Sequence, residues 1–282
     1  MTEPVADPLD QIPDGPVPSS KHGGRLLDLV KVQARLRAAG GCPWDAEQTH
    51  ASLARHLLEE THELLEAIDA GDDDAIRDEL GDVLLQVTFH AQIAADEGRF
   101  DVDDVAEVLV RKLIHRHPHV FGSTEVAGSD EVLRNWEKLK AEEAGGRGEV
   151  DEDIPASLPS LARAAKVQRR AAGWGFEWRT ADSALTALRE EVDELAAATG
   201  EAREDAPEGD VEGEIGDVLF ATVALARKLG IDAESALRRT IRVFAARYER
   251  FVVLAAERGI DVETAPEGEL RALFREARGP GS

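Results

Sequence analysis

Carboxylates on two consecutive stretches are the residues of this chain best suited to chemistry. In "HLLEETHELLEA", residues 56–67, Glu60 and Glu63 are three positions apart and share one face of a helix. Glu79 and Asp82 repeat this spacing, and the short connection predicts antiparallel neighbouring helices. Four carboxylates that meet in this way destabilise a fold unless a cation lies among them. Oxygen ligands favour a hard ion, Mg²⁺ first, with Mn²⁺ able to replace it.

The same acidic pattern occurs a second time. "EETHELLEA" at 59–67 returns as "EEVDELAAA" at 190–198, and "DELGDVLLQVT" at 78–88 returns as "GEIGDVLFATV" at 213–223. The second copy supplies four further candidate metal ligands, Glu191, Glu194, Glu214 and Asp217. Little basic charge lies four residues from the acids, which argues against ordinary solvated ion pairs. We therefore expect two tandem copies of one helical unit.

The elements that position these acids are predicted to be helices throughout. Leucine, valine and alanine recur at three- and four-residue spacing, and the strand-like runs are too short to pair. The fold class is therefore all-α, with each copy centred on a bundle of about four helices. The expected segments are a Pro-rich disordered tail at 1–23, a first repeat at 24–144, a linker at 145–155, a second repeat at 156–278 and a tail at 279–282.

Composition excludes several classes of partner. The 282 residues carry a formal net charge of −24, which repels a nucleic-acid polymer. Acids and arginines interrupt every run that approaches the roughly 20 apolar residues of a membrane span. The single cysteine, Cys42, cannot form an internal disulfide, and the first residues lack the pattern of a signal peptide. We expect a cytoplasmic protein without a membrane partner.

Several long motifs follow one another along the chain. They are "GCPWDAEQTH", "LLEETHELLEAI", "ELGDVLLQVTFHAQIAADEGRF", "RKLIHRHPHVFG" and "NWEKLK", followed by "IPASLPSLARAAKVQRRAAGWGFEW" in the second half. Together they resemble MazG, the family of all-α nucleoside triphosphate pyrophosphohydrolases, from about residue 25 to 278. The resemblance implies Mg²⁺-dependent hydrolysis of nucleoside triphosphates to monophosphate and pyrophosphate, with tolerance of several bases, in nucleotide-pool cleaning. It also implies a homodimer, because related proteins pair such units to complete a core.

The resemblance implies roles for individual residues of the first copy. The candidate catalytic residues are Glu59, Glu60 and Glu63, and either Glu59 or Glu63 accepts the proton of the attacking water. The expected substrate-binding residues are Lys112, Arg116, Trp136 and Lys140. The two cations of the first pair are four positions apart and clamp phosphates, while the indole stacks on a base.

The second copy departs from this pattern. It keeps Arg247 as a candidate substrate-binding residue, but Val243 stands where the first copy has Lys112. Phe274 and Arg278 replace the tryptophan and lysine. Ile241, Asp210 and Ala187 also differ from what the family resemblance implies. We therefore expect hydrolysis in the first copy and an altered or regulatory site in the second, although the family usually assigns hydrolysis to the C-terminal copy.

Two other functions remain open. A pyrophosphatase narrowly specific for one noncanonical nucleotide would use the same metal site. A non-catalytic regulator that binds nucleotide or protein is favoured by the missing lysines of the second copy and opposed by the intact first copy. A di-iron site is disfavoured, since Glu59 and His62 form a Glu-x-x-His pair whose partner helix has Asp82 three residues after Glu79. Zinc at the "HRHPH" histidines is disfavoured because Pro118 interrupts helical spacing.

Overall fold

The computed structural model describes residues 24–128, 131–132, 135–136, 139–140, 149–199 and 209–278. Every regular element among them is an α-helix, so the all-α prediction is confirmed. The predicted tails, residues 145–148 of the linker and the loop at 200–208 lie outside the described residues. The chain divides into two compact units, Met1–Trp136 and Glu137–Ser282. None of the helices in the described ranges has the length and apolar character needed to cross a membrane.

The helices follow one another along each unit. Those described in the first unit are α1 (Gly24–Arg37), α2 (Pro43–Glu47), α3 (His50–Ala70), α4 (Asp73–Asp96), α5 (Val102–Arg116) and α6 (Pro118–Phe121). Those described in the second are α7 (Ser160–Gly173), α8 (Ala181–Thr199), α9 (Gly209–Lys228), α10 (Ala233–Arg258) and α11 (Glu267–Glu276).

A hairpin of α3 and α4 forms the centre of the first unit. Thr49 caps the start of α3, where its side chain accepts a hydrogen bond from the backbone N–H of Ser52. Gly71 ends the helix in the left-handed conformation, at φ 69°, which glycine adopts without a steric penalty. Asp72 then caps α4 by accepting two backbone N–H groups of its first turn. A two-residue turn between packed helices makes them antiparallel, as the sequence predicts.

The core of this hairpin lies toward the start of α3 and the end of α4. Leu53, Phe89 and Ile93 are buried together, and Leu85 packs beside them. Helix α1 lies against α4 and α2. Arg37, at the end of α1, joins the three helices through its guanidinium group.

The contacts of Arg37 reach both neighbouring helices. Its Nε lies 2.7 Å from Oδ2 of Asp96 on α4. Its Nη1 donates to the carbonyl oxygens of Asp45, at 2.6 Å, and Gln48, at 3.2 Å, on and just after α2. The segment that leads into α3 is therefore held in place by α1 and α4.

The second unit repeats the hairpin with α8 and α9, which pack against each other. Helix α7 packs on α9 and α10, and Gln168 on α7 donates from Nε2 to the carbonyl oxygen of Phe220 at 2.8 Å. A separate core joins α10 to α11 through Phe251, Ala255 and Leu273.

The described part of the expected linker packs on α7. Arg170 donates to the carbonyl oxygens of Glu149, Val150 and Glu152. Ile154 is buried. Residues 149–154 therefore lie on α7 within the second unit, held by hydrogen bonds from Arg170 and by an ion pair between Asp151 and Arg163.

Candidate functional site

Three carboxylates meet across the α3–α4 hairpin. One oxygen each of Glu60 on α3 and of Glu79 and Asp82 on α4 lies within 4.8 Å of the other two. Glu60 and Glu79 are half-buried, whereas Asp82 is exposed. The short Gly71–Asp72 turn produces this meeting, because it returns the chain beside itself two helical turns before the acids of α4. The first acidic cluster is defined here as these three residues.

The carboxylates of the first acidic cluster repel one another. The pKa of Glu60 is raised by burial first, and then by Asp82, Glu63 and Glu79. The pKa of Glu79 is raised by burial, followed by the charges of Glu63, Asp82 and Asp78. Glu63 therefore acts on the cluster electrostatically, although it is not among the three residues that meet.

The donor set fits a hard divalent cation. All of its ligand atoms are carboxylate oxygens, which Mg²⁺ and Mn²⁺ prefer. The Oε2 atom of Glu79 is buried and has no hydrogen-bond partner in the described part of the chain. A buried carboxylate oxygen without a partner is costly, and a bound cation removes that cost.

The second unit builds a matching cluster. One oxygen each of Glu191 on α8 and of Glu214 and Asp217 on α9 lies within 4.8 Å of the others. The pKa of Glu191 is raised by burial first, and then by Glu194, Asp217, Glu214 and Glu190. Glu194 thus acts on this second acidic cluster as Glu63 acts on the first.

A histidine distinguishes the two clusters. His56 Nδ1 lies 3.1 Å from Oε2 of Glu59, beside the first acidic cluster. At the offset that relates Glu60 to Glu191, the second unit has Ala187. Sequence reasoning overlooked His56. Its spacing of three and four residues before the two glutamates was the signal that identifies it.

Of the predicted substrate-binding residues of the first unit, the structure brings Arg116 and Trp136 into contact. The guanidinium carbon of Arg116 lies 5.3 Å from the centre of the Trp136 ring, within cation–π range. Lys112 is exposed on α5, one turn before Arg116. The boundary between the two compact units falls between Trp136 and Lys140. The structure therefore brings together the arginine and the tryptophan of the predicted clamp.

The second unit has an equivalent cation–aromatic pair. Arg247 lies 4.0 Å above the ring of Phe274, and its Nε donates to the Phe274 carbonyl oxygen at 2.7 Å. The pKa of Arg247 is lowered by burial first, and then by the nearby charges of Arg278 and Arg250. The replacement of tryptophan by phenylalanine thus retains the pairing of a guanidinium with an aromatic ring.

Two histidines, His50 and His90, are in contact at the end of the first hairpin that lies away from the Gly71–Asp72 turn. The rings of His50 and His90 are stacked, with their Nδ1 atoms 2.7 Å apart. Arg99 donates to Nε2 of His50 at 2.8 Å. The pKa of His90 is lowered by burial first and then by His50.

Comparison with known proteins gives a consistent result for both units. Residues 48–121 and 179–252 each match the model of the MazG nucleotide pyrophosphohydrolase domain. These segments contain the two acidic hairpins, so the predicted tandem repeat is confirmed.

Full-length relatives extend the similarity beyond the two segments. The chain is 44% identical to the "Nucleoside triphosphate pyrophosphohydrolase" of Escherichia coli over 247 residues, which are 85% of this chain and 93% of that protein. It is 40% identical to the "Nucleoside triphosphate pyrophosphohydrolase/pyrophosphatase MazG" of Thermotoga maritima over 265 residues, 92% of this chain and 98% of that protein. A Mycobacterium tuberculosis "Nucleoside triphosphate pyrophosphohydrolase" is 44% identical over 178 residues, 62% of this chain and 54% of that protein.

Proposed function

Because the chain belongs to the MazG nucleotide pyrophosphohydrolase family and is a nucleoside triphosphate pyrophosphohydrolase, we propose that its first unit performs the hydrolysis with Mg²⁺. The resemblance seen in the sequence is thus confirmed at the level of family and enzyme class. The observation that carries the proposal is the meeting of Glu60, Glu79 and Asp82, with one buried carboxylate oxygen that has no hydrogen-bond partner among the described residues.

The residues of the first acidic cluster hold the ion in this proposal. Glu60, Glu79 and Asp82 are its ligands, and Glu63 adds negative charge beside them. When bound, Mg²⁺ polarises phosphate oxygens and offsets the charge that develops on the leaving pyrophosphate. Mn²⁺ replaces it because the ligands are all oxygen atoms.

The chain supplies proton transfer and substrate orientation. Water attacks the α-phosphorus, its proton passes to Glu59 or Glu63, and the bond from the α-phosphorus to the bridging oxygen breaks. The products are a nucleoside monophosphate and pyrophosphate. Arg116 pairs with phosphate oxygens, with Lys112 one turn away on the same helix. Trp136 stacks on the base, and a π-face of this kind accepts every base.

The first unit is proposed as the hydrolytic one because its basic side chains can bind the negatively charged triphosphate. It has Lys112 where the second unit has Val243. The second unit keeps its acidic cluster and the Arg247–Phe274 pair, which support binding of a nucleotide. We assign it a regulatory role. The biological role proposed for the enzyme is the removal of unwanted nucleotides from the cytoplasmic pool.

Matched substitutions test the assignment. Release of monophosphate and pyrophosphate is measured with Mg²⁺ and a panel of ribo- and deoxyribonucleoside triphosphates for wild type, Glu60→Gln and Glu191→Gln. We expect Glu60→Gln to lower kcat/KM on the order of 100-fold, since metal-assisted charge stabilisation contributes several kcal/mol. Glu191→Gln should retain most activity.

The opposite results have definite meanings. Loss of activity only in Glu191→Gln would place hydrolysis in the second unit. Activity that persists in chelator-treated wild type without added metal would refute the role of Mg²⁺. A preference for one base across the panel would favour the narrow-specificity enzyme.

We also propose that the enzyme is a homodimer. Large apolar side chains on α4 and α5 are exposed, including Leu80, Leu84, Val108 and Leu109. Exposed apolar faces of this kind are typical of protein interfaces. Sedimentation equilibrium should give twice the chain mass of 30.6 kDa for wild type, and Leu84→Glu should lower the mass. A wild-type mass of one chain contradicts the proposal.

A further inference from the structure

His56 and Glu59 form a hydrogen-bonded pair beside the first acidic cluster, and metal binding does not explain this pair. We propose that His56 is a positioning residue, which holds the Glu59 carboxylate as the acceptor of the attacking water's proton. The inference rests on the proposed function, in which the first unit performs the hydrolysis. It also selects between the two glutamates that the sequence leaves open as the proton acceptor.

Helix geometry places the pair next to the metal ligands. At 100° per residue, the residues at positions 56, 59, 60 and 63 fall within about 100° of one another around α3. His56 therefore lies one turn before Glu60 on the same face. The face presents, in order along the helix, His56, the proposed proton acceptor Glu59 and the acids of the cluster.

Hydrogen bonds on both ring nitrogens define the state of His56. Arg55 Nε, which always carries a proton, donates to His56 Nε2 at 3.3 Å. Nε2 is therefore the acceptor nitrogen of a neutral ring, and Nδ1 carries the proton. Nδ1 donates this proton to Oε2 of Glu59 at 3.1 Å. One oxygen of Glu59 is thereby oriented, while its other oxygen stays available.

A tryptophan fixes the imidazole ring from the neighbouring helix. The Trp44 ring on α2 packs edge-on against His56, with ring centres 6.3 Å apart. It packs edge-on in the same way against the buried Phe89 on α4, at 6.4 Å. The orientation of Glu59 thus depends on packing outside its own helix.

At the corresponding positions, the second unit has no histidine that could donate a hydrogen bond to the glutamate before its cluster. Glu190 corresponds to Glu59, but Ala187 stands in place of His56. Trp178 packs against Phe176, at a ring distance of 6.0 Å. Glu190 is also among the charges that raise the pKa of Glu191. The difference agrees with the proposed division of labour, since only the first unit orients the glutamate before its cluster through a histidine.

The proton transfer balances with the groups present. Glu59 accepts one proton as the water oxygen bonds to the α-phosphorus, and pyrophosphate leaves with the electron pair of the broken bond. Glu59 then returns the proton to solvent. His56 keeps its Nδ1 proton throughout, because its role is to donate a hydrogen bond to the carboxylate.

Solvent exposure separates this role from a structural one. The side chains of His56 and Glu59 are 27% and 62% exposed, and exposed pairs of this kind contribute little to stability. Removing the histidine should therefore reduce turnover while leaving thermal unfolding nearly unchanged.

The test compares kinetics with a direct observation of the ring. His56→Ala should lower kcat on the order of 10-fold, as for other residues that orient a catalytic group, with KM within about twofold of wild type. His56→Asn keeps an N–H donor at the same number of bonds from the backbone and should restore most of the turnover. His62→Asn, on the exposed side of the same helix, is the control and should match wild type.

A readout independent of activity is the tautomer of His56. Imidazole nitrogen shifts of the metal-free protein at pH 8, assigned by the loss of signal in His56→Asn, should show the Nδ1–H form. An Nε2–H form overturns the inference, as does a wild-type kcat in His56→Ala or a loss of kcat that Asn does not restore.

Failure of the proposed function gives a different pattern. If Glu191→Gln and not Glu60→Gln abolishes turnover, hydrolysis lies in the second unit and the inference falls with the proposal. If Glu60→Gln is inactive while His56→Ala turns over like wild type, the proposed function stands and only the inference is wrong.

Discussion

Replacing Arg37 with methionine should destabilise the first unit and leave the second unchanged. The Arg37 side chain is only 9% exposed, and its Nε lies 2.7 Å from an Asp96 carboxylate that is 38% exposed. Two carbonyl oxygens, those of Asp45 and Gln48, accept from its Nη1. Methionine retains much of the apolar stem but supplies none of these donors.

The magnitude follows from how far each partner is buried. A fully buried ion pair loses about 3–5 kcal/mol when one partner is removed, and an exposed pair loses at most about 1 kcal/mol. Asp96 lies between these limits, and the Asp45 and Gln48 carbonyl oxygens regain some hydrogen bonding to water. We therefore expect a loss of about 2–4 kcal/mol in the free energy of unfolding. For a unit of this size the unfolding midpoint should fall by about 10 °C.

Calorimetry distinguishes this outcome from a general loss of stability. Arg35→Met is the matched control, because Arg35 is exposed and, within the described part of the chain, its hydrogen bonds go to the carbonyl oxygens of Ala39 and Gly40 just beyond its own helix. Only the transition of the first unit should move in Arg37→Met, and the control should move it far less. Equal shifts in the two variants would refute the argument that Arg37 holds α2 and α4 in place.

Four further perturbations test other parts of the molecule. The pKa of Glu79 is raised, chiefly by burial, so the metal-free fold loses stability as pH rises through that raised value. At pH 7.5, Glu79→Gln should therefore raise the unfolding midpoint measured in chelator. The same variant should reduce the increase in unfolding midpoint that added Mg²⁺ produces. The pKa of His90 is lowered by burial and then by His50, so stability should fall as pH falls below 6.5, and His90→Gln should flatten this profile in thermal melts between pH 5 and 8. Gln33 is 1% exposed, and its amide has no hydrogen-bond partner among the described residues, so Gln33→Leu should stabilise the first unit by about 1 kcal/mol. Gln168→Leu should destabilise the second unit by a similar amount in denaturant titrations, because Gln168 donates to a backbone carbonyl of α9.

The pairing of the acidic helices was predictable from local sequence. Apolar spacing identifies helices, and a glycine followed by an aspartate gives both the left-handed end of α3 and the cap of α4. Because the turn has only two residues, α3 and α4 form an antiparallel hairpin. The repeated acids then predict two clusters, and the structure brings carboxylates together in both.

The membership of each cluster required the tertiary structure. Periodicity places Glu60 and Glu63 on one face but does not fix the rotation of that face toward α4. In the folded unit Glu60 meets the acids of α4, whereas Glu63 acts on them through its charge. A rotation of a helix by a fraction of a turn decides which of the two carboxylates reaches the partner.

The sequence by itself determined the helices, the tandem repeat, the family and the two sets of acids, because these depend on spacing within short segments. Only the tertiary structure decided that Glu59 pairs with His56, although His62 lies equally close in sequence. That choice depends on Trp44 and Phe89, which come from two other helices. Contacts between distant segments depend on packing, and packing is a property of the whole unit and not of any one motif.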